Sequence, residues 1–301
     1  MTDIGFIGAG ISESRPMVAG IVARLQATGH RVSIAADHDQ QATDLLTGEG
    51  AVTQPNAAAL VANSDAIMSW VGDAAGVESL SDQIVPLLQA DQLWIDLTTS
   101  DPDMARDLAT TVESRGAVFA DAPVFGPPQH ALNGELVSLV GCRREKFNRI
   151  KQVIRPYASI VQRFGDPGAG VTAKLLNDFV AQGTAMLLAE AFGNARHTDL
   201  DWRALHDIMC AGEANSAMLE QIVATTLDGP ARDDQPSLAS ARKDVSTYRR
   251  LTQQLNGHSS CLADAVFAKL DTACKAGHGE QQISKLLTDG RDNEPGAQPL
   301  R

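Results

Sequence analysis

The chain has 301 residues, 44% of them apolar, enough to bury a sizeable core in one large domain or two ordinary ones. Its 25 Lys and Arg against 37 Asp and Glu give a net charge of −12, which argues against a nucleic-acid or anionic-membrane partner. No apolar run approaches the ~18 residues of a membrane span, and the first residues already read as a strand, leaving no room for a secretion signal, so a cytoplasmic protein is expected. The four cysteines, Cys142, Cys210, Cys261 and Cys274, lie far apart with no metal-ligand spacing. They are expected to be buried reduced thiols, and no metal is expected.

In chain order, β-rich apolar runs alternate with helical patterns up to about Gly165: IGFIG, RVSIAA, AIMSWV, LWIDL, AVFAD, LVSLV and SIVQRF. Strands interleaved with helices in this way predict an α/β fold with a Rossmann-type parallel sheet over residues 1–165. After Gly170 the strand signal vanishes. Val171 to Ala195 has no proline and is apolar nearly all round, the pattern of a long buried helix, and further helices are expected at about 202–227, 238–255 and 259–276. Residues 166–288 thus form a second, all-helical domain. The tail 289–301, DGRDNEPGAQPLR, has little to bury and is expected to be disordered.

The turn Gly8-Ala9-Gly10 closes the first strand and lets backbone approach a pyrophosphate, whose charge the next helix N-terminus stabilises. Asp37, at the end of the second strand, is placed to accept hydrogen bonds from an adenosine ribose. Between Ala35 and Leu46 there is no Lys or Arg, but Asp37, Asp39 and Asp44 are present. A 2′-phosphate would be repelled there, so NAD is favoured over NADP. The alternative is a Rossmann-like sheet with a tight turn and no ligand.

The opening IGFIGAG, followed by Pro16-Met17 and TGHRVSI, resembles the β-hydroxyacid dehydrogenases, the family of 3-hydroxyisobutyrate dehydrogenase and, more distantly, the imine reductases. The likeness continues in DLTTSDP (96–102), which is similar to the family's DxSTxxP. It extends through DAPVFGPP (121–128) with Ala131 and Gly134-Glu135-Leu136, through GAGVTAKLLND (168–178), and to Lys243-Asp244. One departure is in the phosphate loop: Ile11-Ser12-Glu13-Ser14-Arg15 replaces the family's third-glycine segment, and Gly8 and His30 are several positions further apart than in the family. A longer loop would start the helix near Met17 and leave Ser12, Ser14 and Arg15 to donate to phosphate oxygens. An insertion that spoils the site is the competing possibility.

The resemblance implies an NAD(P)-dependent dehydrogenase or reductase acting on CH–OH or C=O of a small molecule, usually dimeric or a higher homo-oligomer through its helical domain. It assigns cofactor contacts to Gly8, Gly10, Ile11, Ser12, Asp37, Val71 and Thr99, catalysis to Lys174 with Asp178, and substrate contacts to Phe125, Gly126, Asn177 and Lys243. Chemically, hydride exchange at a carbinol carbon creates or destroys an alkoxide, so one proton must be supplied or taken, and a lysine does either. Spacing places Lys174, Asp178 and Gln182 on one helix face, a stripe that meets solvent or lines a cleft. The family has Asn where this chain has Asp178; a carboxylate there favours the ammonium and so favours reduction. Where the family offers Ser-Gly-Gly donors to a carboxylate, this chain has Phe125-Gly126-Pro127, and Pro127 and Pro128 have no amide hydrogen. A larger or less charged substrate than 3-hydroxyisobutyrate is therefore expected, unless Phe125 packs inward and the loop is only structural. Lys243, flanked by Arg242 and Asp244, also reads as a surface residue. An imine reductase is the enzymatic rival, and a catalytically silent nucleotide-binding protein is the rival from another class.

Overall fold

The computed structural model describes residues 1–8, 15–35, 40–198, 200–228, 235–258 and 260–287. Among the residues outside these segments are Gly10, Ile11, Ser12, Asp37 and the tail 289–301. The chain divides into two compact units, Met1–Lys174 and Leu175–Arg301, with the division inside a helix that begins in the first and continues through the second.

The first unit carries β1 (Asp3–Ile7), α1 (Arg15–Ala27), β2 (Arg31–Ala35), α2 (Gln40–Gly48), β3 (Val52–Gln54), α3 (Ala57–Ala62), β4 (Ala66–Ser69), α4 (Ala74–Ile84) and β5 (Leu93–Asp96). There follow α5 (Pro102–Ser114), β6 (Val118–Asp121), β7 (Val124–Phe125), α6 (Pro128–Asn133), β8 (Leu136–Cys142), α7 (Phe147–Ile154) and β9 (Ala158–Gly165). The sheet order is β3-β2-β1-β4-β5-β6-β8-β7, with β9 on β8. Strands β3 to β6 along this path are parallel. The expected Rossmann-type parallel sheet is thus present, and beyond β6 antiparallel strands extend it: β8 runs antiparallel to both β6 and β7, and β9 is parallel to β8. Buried apolar strands look alike in either direction, so composition does not reveal the reversal.

The central strands are buried on both faces, every residue of β4, β5 and β6 included. One core packs Ile4, Phe6, Met68 and Ile95 against Val18, Ile21 and Leu25 of α1. The other packs Ile67, Trp94 and Phe119 against Leu80, Ile84, Leu108 and Val112 of α4 and α5. Helix α1 begins at Arg15, two residues earlier than the expected Met17, with Pro16 in its first turn where the missing amide hydrogen costs nothing.

Helix α8 (Ala169–Ala195) leads into the second unit, which contains α9 (Trp202–Ala211), α10 (Ala217–Leu219), α11 (Thr225–Asp228), α12 (Leu238–Asn256) and α13 (Cys261–Ala273). Its core joins Phe192, Trp202, Leu238, Val245 and Leu270. The single helix expected over 202–227 is broken after α9. Gly212 follows the last turn, and Ser216 caps the next helix by accepting from the Leu219 amide. Of the four cysteines expected to be buried, only Cys142 is; Cys261 is exposed, and none is in a disulfide. Among the described residues no helix is long and apolar enough to cross a membrane, and no group of three or more ligating side chains is poised for a metal.

Candidate active site

Strands β1, β4, β5 and β6 all end on the same edge of the sheet. The chain moves outward from β1 through β2 to β3, then returns to β4 on the other side of β1. A crevice opens at such a switch point outside the carboxyl ends of the strands. Gly8 sits there with φ +98°, and a Cβ on it would collide with the Trp70 carbonyl oxygen and with Val71 Cγ1. Only glycine allows this turn, and the backbone beyond β1 is thereby held against the loop after β4.

That loop is fixed from below by a buried polar chain. Trp94 Nε1 donates to Ser69 Oγ at 2.8 Å, and Ser69 Oγ donates to Asp96 Oδ1 at 2.8 Å. The same carboxylate oxygen accepts from Thr98 N at 3.2 Å and Thr98 Oγ1 at 2.8 Å. Thr98 Oγ1 in turn accepts from the Val71 amide at 3.1 Å. Asp96 and Thr98 are buried, so Thr98 faces the network, whereas Thr99 is half-buried. The family resemblance assigns a cofactor contact to Thr99, and the structure gives its neighbour Thr98 the separate task of holding Val71. Ser69 and Trp94 were missed, because their partnership depends on the register that sets Ser69 beside Asp96 on adjacent strands.

One strand further on, Asp121 anchors the start of α8. Its Oδ1 accepts from Gly168 N at 2.7 Å and its Oδ2 from Val171 N at 2.8 Å. These amides belong to the group of donors that a helix N-terminus leaves unsatisfied. Gly141 and Gly170 lie so close to this carboxylate that a Cβ on either would clash with it. Gly168, at φ +90°, presses its backbone on the Pro102 carbonyl oxygen. The first turn of α8 is thus pinned to β6, β8 and α5. Lys174 follows one turn after Gly170, half-buried.

Asp96 and Asp121 are register partners at the ends of β5 and β6. Burial pushes the Asp96 carboxyl up to about 6 against the hydrogen bonds from Thr98 and Ser69. It pushes Asp121 up to about 7 against the amides of Gly168 and Val171, with the nearby Asp96 charge adding to the rise. Both groups hold their proton more tightly folded than unfolded. Their stabilising contribution is full below the unfolded value of 3.8 and is lost as pH rises through about 6 to 7. Asp96→Asn keeps the acceptor oxygen and removes one titration. The loss of stability between about pH 4 and 7, followed by urea unfolding, is expected to shrink by on the order of 2 kcal/mol.

Phe125 ends β7, paired with Val137 of β8, and is half-buried, as are Gly126, Pro127 and Pro128. A Cβ on Gly126 would meet Leu136 Cδ2 and, at 3.3 Å, His130 Nδ1. In the second unit, Asn177 is exposed and donates from Nδ2 to Asp178 Oδ1 at 3.2 Å. Asp178 is 8% exposed and Gln182, one turn on, 5%. The Oε1 of Gln182 has no hydrogen-bond partner among the described residues. Phe179 stacks on Tyr248 with ring centroids 4.1 Å apart, which ties α8 to α12. Lys243, on α12, lies 3.4 Å from Asp244 Oδ1 with 36% of its side chain exposed.

Gly8, Val71 and the Asp96–Thr98 network are thus brought together at the switch point. The chemistry of this corner fits a dinucleotide: a glycine turn with no space for a Cβ, a braced loop beside it, and the start of α1 beyond.

Comparison with known proteins agrees. Residues 3–165 match the family model for the NAD binding domain of 6-phosphogluconate dehydrogenase. Residues 168–288 match that for the NAD-binding domain of NADP-dependent 3-hydroxyisobutyrate dehydrogenase. The chain is 30% identical to 3-hydroxyisobutyrate dehydrogenase of Pseudomonas aeruginosa over 69% of each protein. It superposes with a TM-score of 0.85 on the Mycobacterium tuberculosis 3-hydroxyisobutyrate dehydrogenase solved with L-serine, at 24% identity and covering 96% and 98% of the two chains. An imine reductase of Bacillus cereus shares the fold at a TM-score of 0.58 and 19% identity, covering 97% of this chain and 99% of that one. The chain belongs to the β-hydroxyacid dehydrogenase family, and is an NAD(P)-dependent oxidoreductase acting on a CH–OH or C=O carbon.

Proposed function

We propose that this oxidoreductase exchanges hydride with a carbonyl or carbinol compound larger or less charged than 3-hydroxyisobutyrate, with Lys174 as its proton donor and acceptor. The observation that carries this reading is the pinning of α8 by Asp121, which fixes the backbone of Lys174 one turn beyond the end of β6. The bound nicotinamide supplies or receives the hydride. The ammonium of Lys174 donates to the oxygen that gains charge during reduction, and the neutral amine takes the hydroxyl proton during oxidation. Asp178, one turn further along the same helix, is the proposed partner of Lys174 at the reacting oxygen.

The loop at Phe125 supports the substrate class. Phe125 offers no donor, and neither proline has an amide hydrogen, so a small carboxylate set against this surface loses solvation without gaining hydrogen bonds. Phe125→Ser restores a hydroxyl at this position. We expect it to raise kcat/KM for small 3-hydroxy acids about tenfold relative to uncharged carbonyl compounds. Steady-state rates on matched substrates test this, and an unchanged ratio removes Phe125 from the substrate site. The same donor-poor loop favours imine reduction as the second reading, while the retained Lys174 favours a carbonyl. A screen of hydroxy acids with NAD, and of ketones and imines with NADH, separates them, and also detects the silent reading as binding without turnover.

NAD is the favoured cofactor, on the strength of the acidic and cation-free stretch between Ala35 and Leu46. Asp37 is the proposed ribose partner, and Gly10, Ile11 and Ser12 the proposed pyrophosphate contacts. Asn177 and Lys243 are proposed substrate contacts, and Thr99 a cofactor contact. A cytoplasmic homodimer or higher homo-oligomer accords with the apolar surface of the second unit, where α8 leaves Leu176, Val180 and Leu187 exposed.

A further inference from the structure

His206 and Cys210 stand one turn apart on α9, so their side chains leave the helix on the same face. The cysteines lie far from one another in sequence, and the spacing that matters here runs from a histidine to a cysteine. His206-Asp207-Ile208-Met209-Cys210 sets two ligating side chains at i and i+4, with a carboxylate beside the first. One cation can reach both side chains at this spacing, which is why helical metal sites use it.

The fold brings the groups into contact. Cys210 Sγ lies 3.5 Å from His206 Nε2 and 4.0 Å from Nδ1. His206 Nδ1 is 3.2 Å from Asp207 Oδ1, a carboxylate that accepts the Nδ1 proton and so leaves Nε2 with its lone pair. Zinc bonds of about 2.0–2.1 Å to nitrogen and about 2.3 Å to sulfur, at a tetrahedral angle, set the two ligand atoms about 3.5–3.6 Å apart. The imidazole turns about its Cβ–Cγ bond, a soft torsion, to aim the Nε2 lone pair at such a cation, and the side chain of Asp207, 71% exposed, follows it.

The local charges favour a cation over a reactive thiolate. Burial pushes the Cys210 thiol up, and the carboxylates of Glu220 and Asp207 add to the rise. A divalent cation gains from the same carboxylates and displaces the thiol proton as it binds. His206 and Cys210 are both half-buried, so a cation reaches them from solvent.

We propose that His206 and Cys210 bind a thiophilic divalent cation, zinc above all, with Asp207 supporting the imidazole and water filling the remaining positions. Two protein ligands make an exchangeable site and not a closed four-ligand one, so the fold forms without the cation and is stabilised by it. Bound there, the cation clamps the last turn of α9 ahead of the break at Gly212.

Calorimetric titration of the untagged, chelator-treated full-length protein with zinc tests this, in excess magnesium to fill sites made of carboxylates alone. One zinc per chain is expected. The Kd should rise about a hundredfold in Cys210→Ser and in His206→Ala, and about tenfold in Asp207→Asn. Cobalt(II) in place of zinc should give the wild type a sulfur-to-metal charge-transfer band that Cys210→Ser loses and Cys261→Ser keeps, the latter thiol being exposed at the start of α13. Zinc should raise the melting temperature of the wild type but not of Cys210→Ser, and equal melting temperatures in chelator show that the variants are folded. Equal zinc binding by wild type, Cys210→Ser and His206→Ala would place the cation elsewhere and overturn the proposal. Cobalt binding without the band, or no zinc binding by the wild type, would overturn it as well.

Discussion

Lys174→Ala is expected to lower kcat by about 10²–10⁴ in both directions while leaving the Kd for NADH within about twofold. The size follows from the work assigned to the side chain. Hydride transfer to a carbonyl carbon leaves an alkoxide whose proton must come from a positioned acid, and without one it must come from water. The proposed cofactor contacts are other residues, Gly8, Gly10, Ile11, Ser12, Asp37, Val71 and Thr99, so binding should survive the substitution. A structural role for Lys174 would instead lower the melting temperature and weaken cofactor binding together. Asp178→Asn gives a finer reading of the same pair: removal of the carboxylate should lower the reductive rate relative to the oxidative one. An unchanged ratio would take Asp178 out of the proton-transfer step.

Asp121→Ala is expected to cost about 2–4 kcal/mol of stability, and to lower kcat further by loosening the helix that bears Lys174. Two effects oppose each other at this site. Removing the carboxyl relieves the burial that raises its pKa, but it also leaves the amides of Gly168 and Val171 without acceptors in a place closed to water. The loss of two buried partners outweighs the relief, because Gly141 and Gly170 pack too tightly around the carboxyl for solvent to replace it. Chemical denaturation of wild type, Asp121→Ala and Asp121→Asn tests the account. The asparagine retains one acceptor and should fall between the other two. Equal stability of all three would show that the start of α8 is held by something else.

Much of the architecture was legible in the sequence. Seven apolar runs correspond to β1, β2, β4, β5, β6, β8 and β9, and the proline-free apolar stretch after Gly170 corresponds to α8, because burial on all sides leaves a continuous hydrophobic signal. What escaped was set by pairing. Strand β3 has three residues and an exposed Val52, and β7 has two residues that become a strand only by lying against β8. The break after α9 was written in Gly212 and Ser216, but the apolar residues on either side masked it.

The candidate site divides in the same way. Gly8 was legible as a glycine turn closing the first strand, strengthened by its position there, whereas Lys174 was singled out through the resemblance to the family, since its stripe on α8 alone reads as well as a solvent face. Thr98, Ser69 and Trp94 form one network only through the register of β4 and β5, which composition does not encode. Arg15 was read as a phosphate donor, yet its guanidinium reaches across to α2, a contact that no spacing rule anticipates.

The central claim is that hydride passes between nicotinamide and a carbon of the substrate while Lys174 manages the proton. Its most direct test is single-turnover mixing of the protein with NADH deuterated at the transferring position and a carbonyl compound from the screen, followed by mass analysis of the product. The account expects one deuterium on the carbinol carbon, delivered by the wild type and slowed by about 10² or more in Lys174→Ala. A product without the label, or a Lys174→Ala variant that transfers it as fast as the wild type, would contradict it.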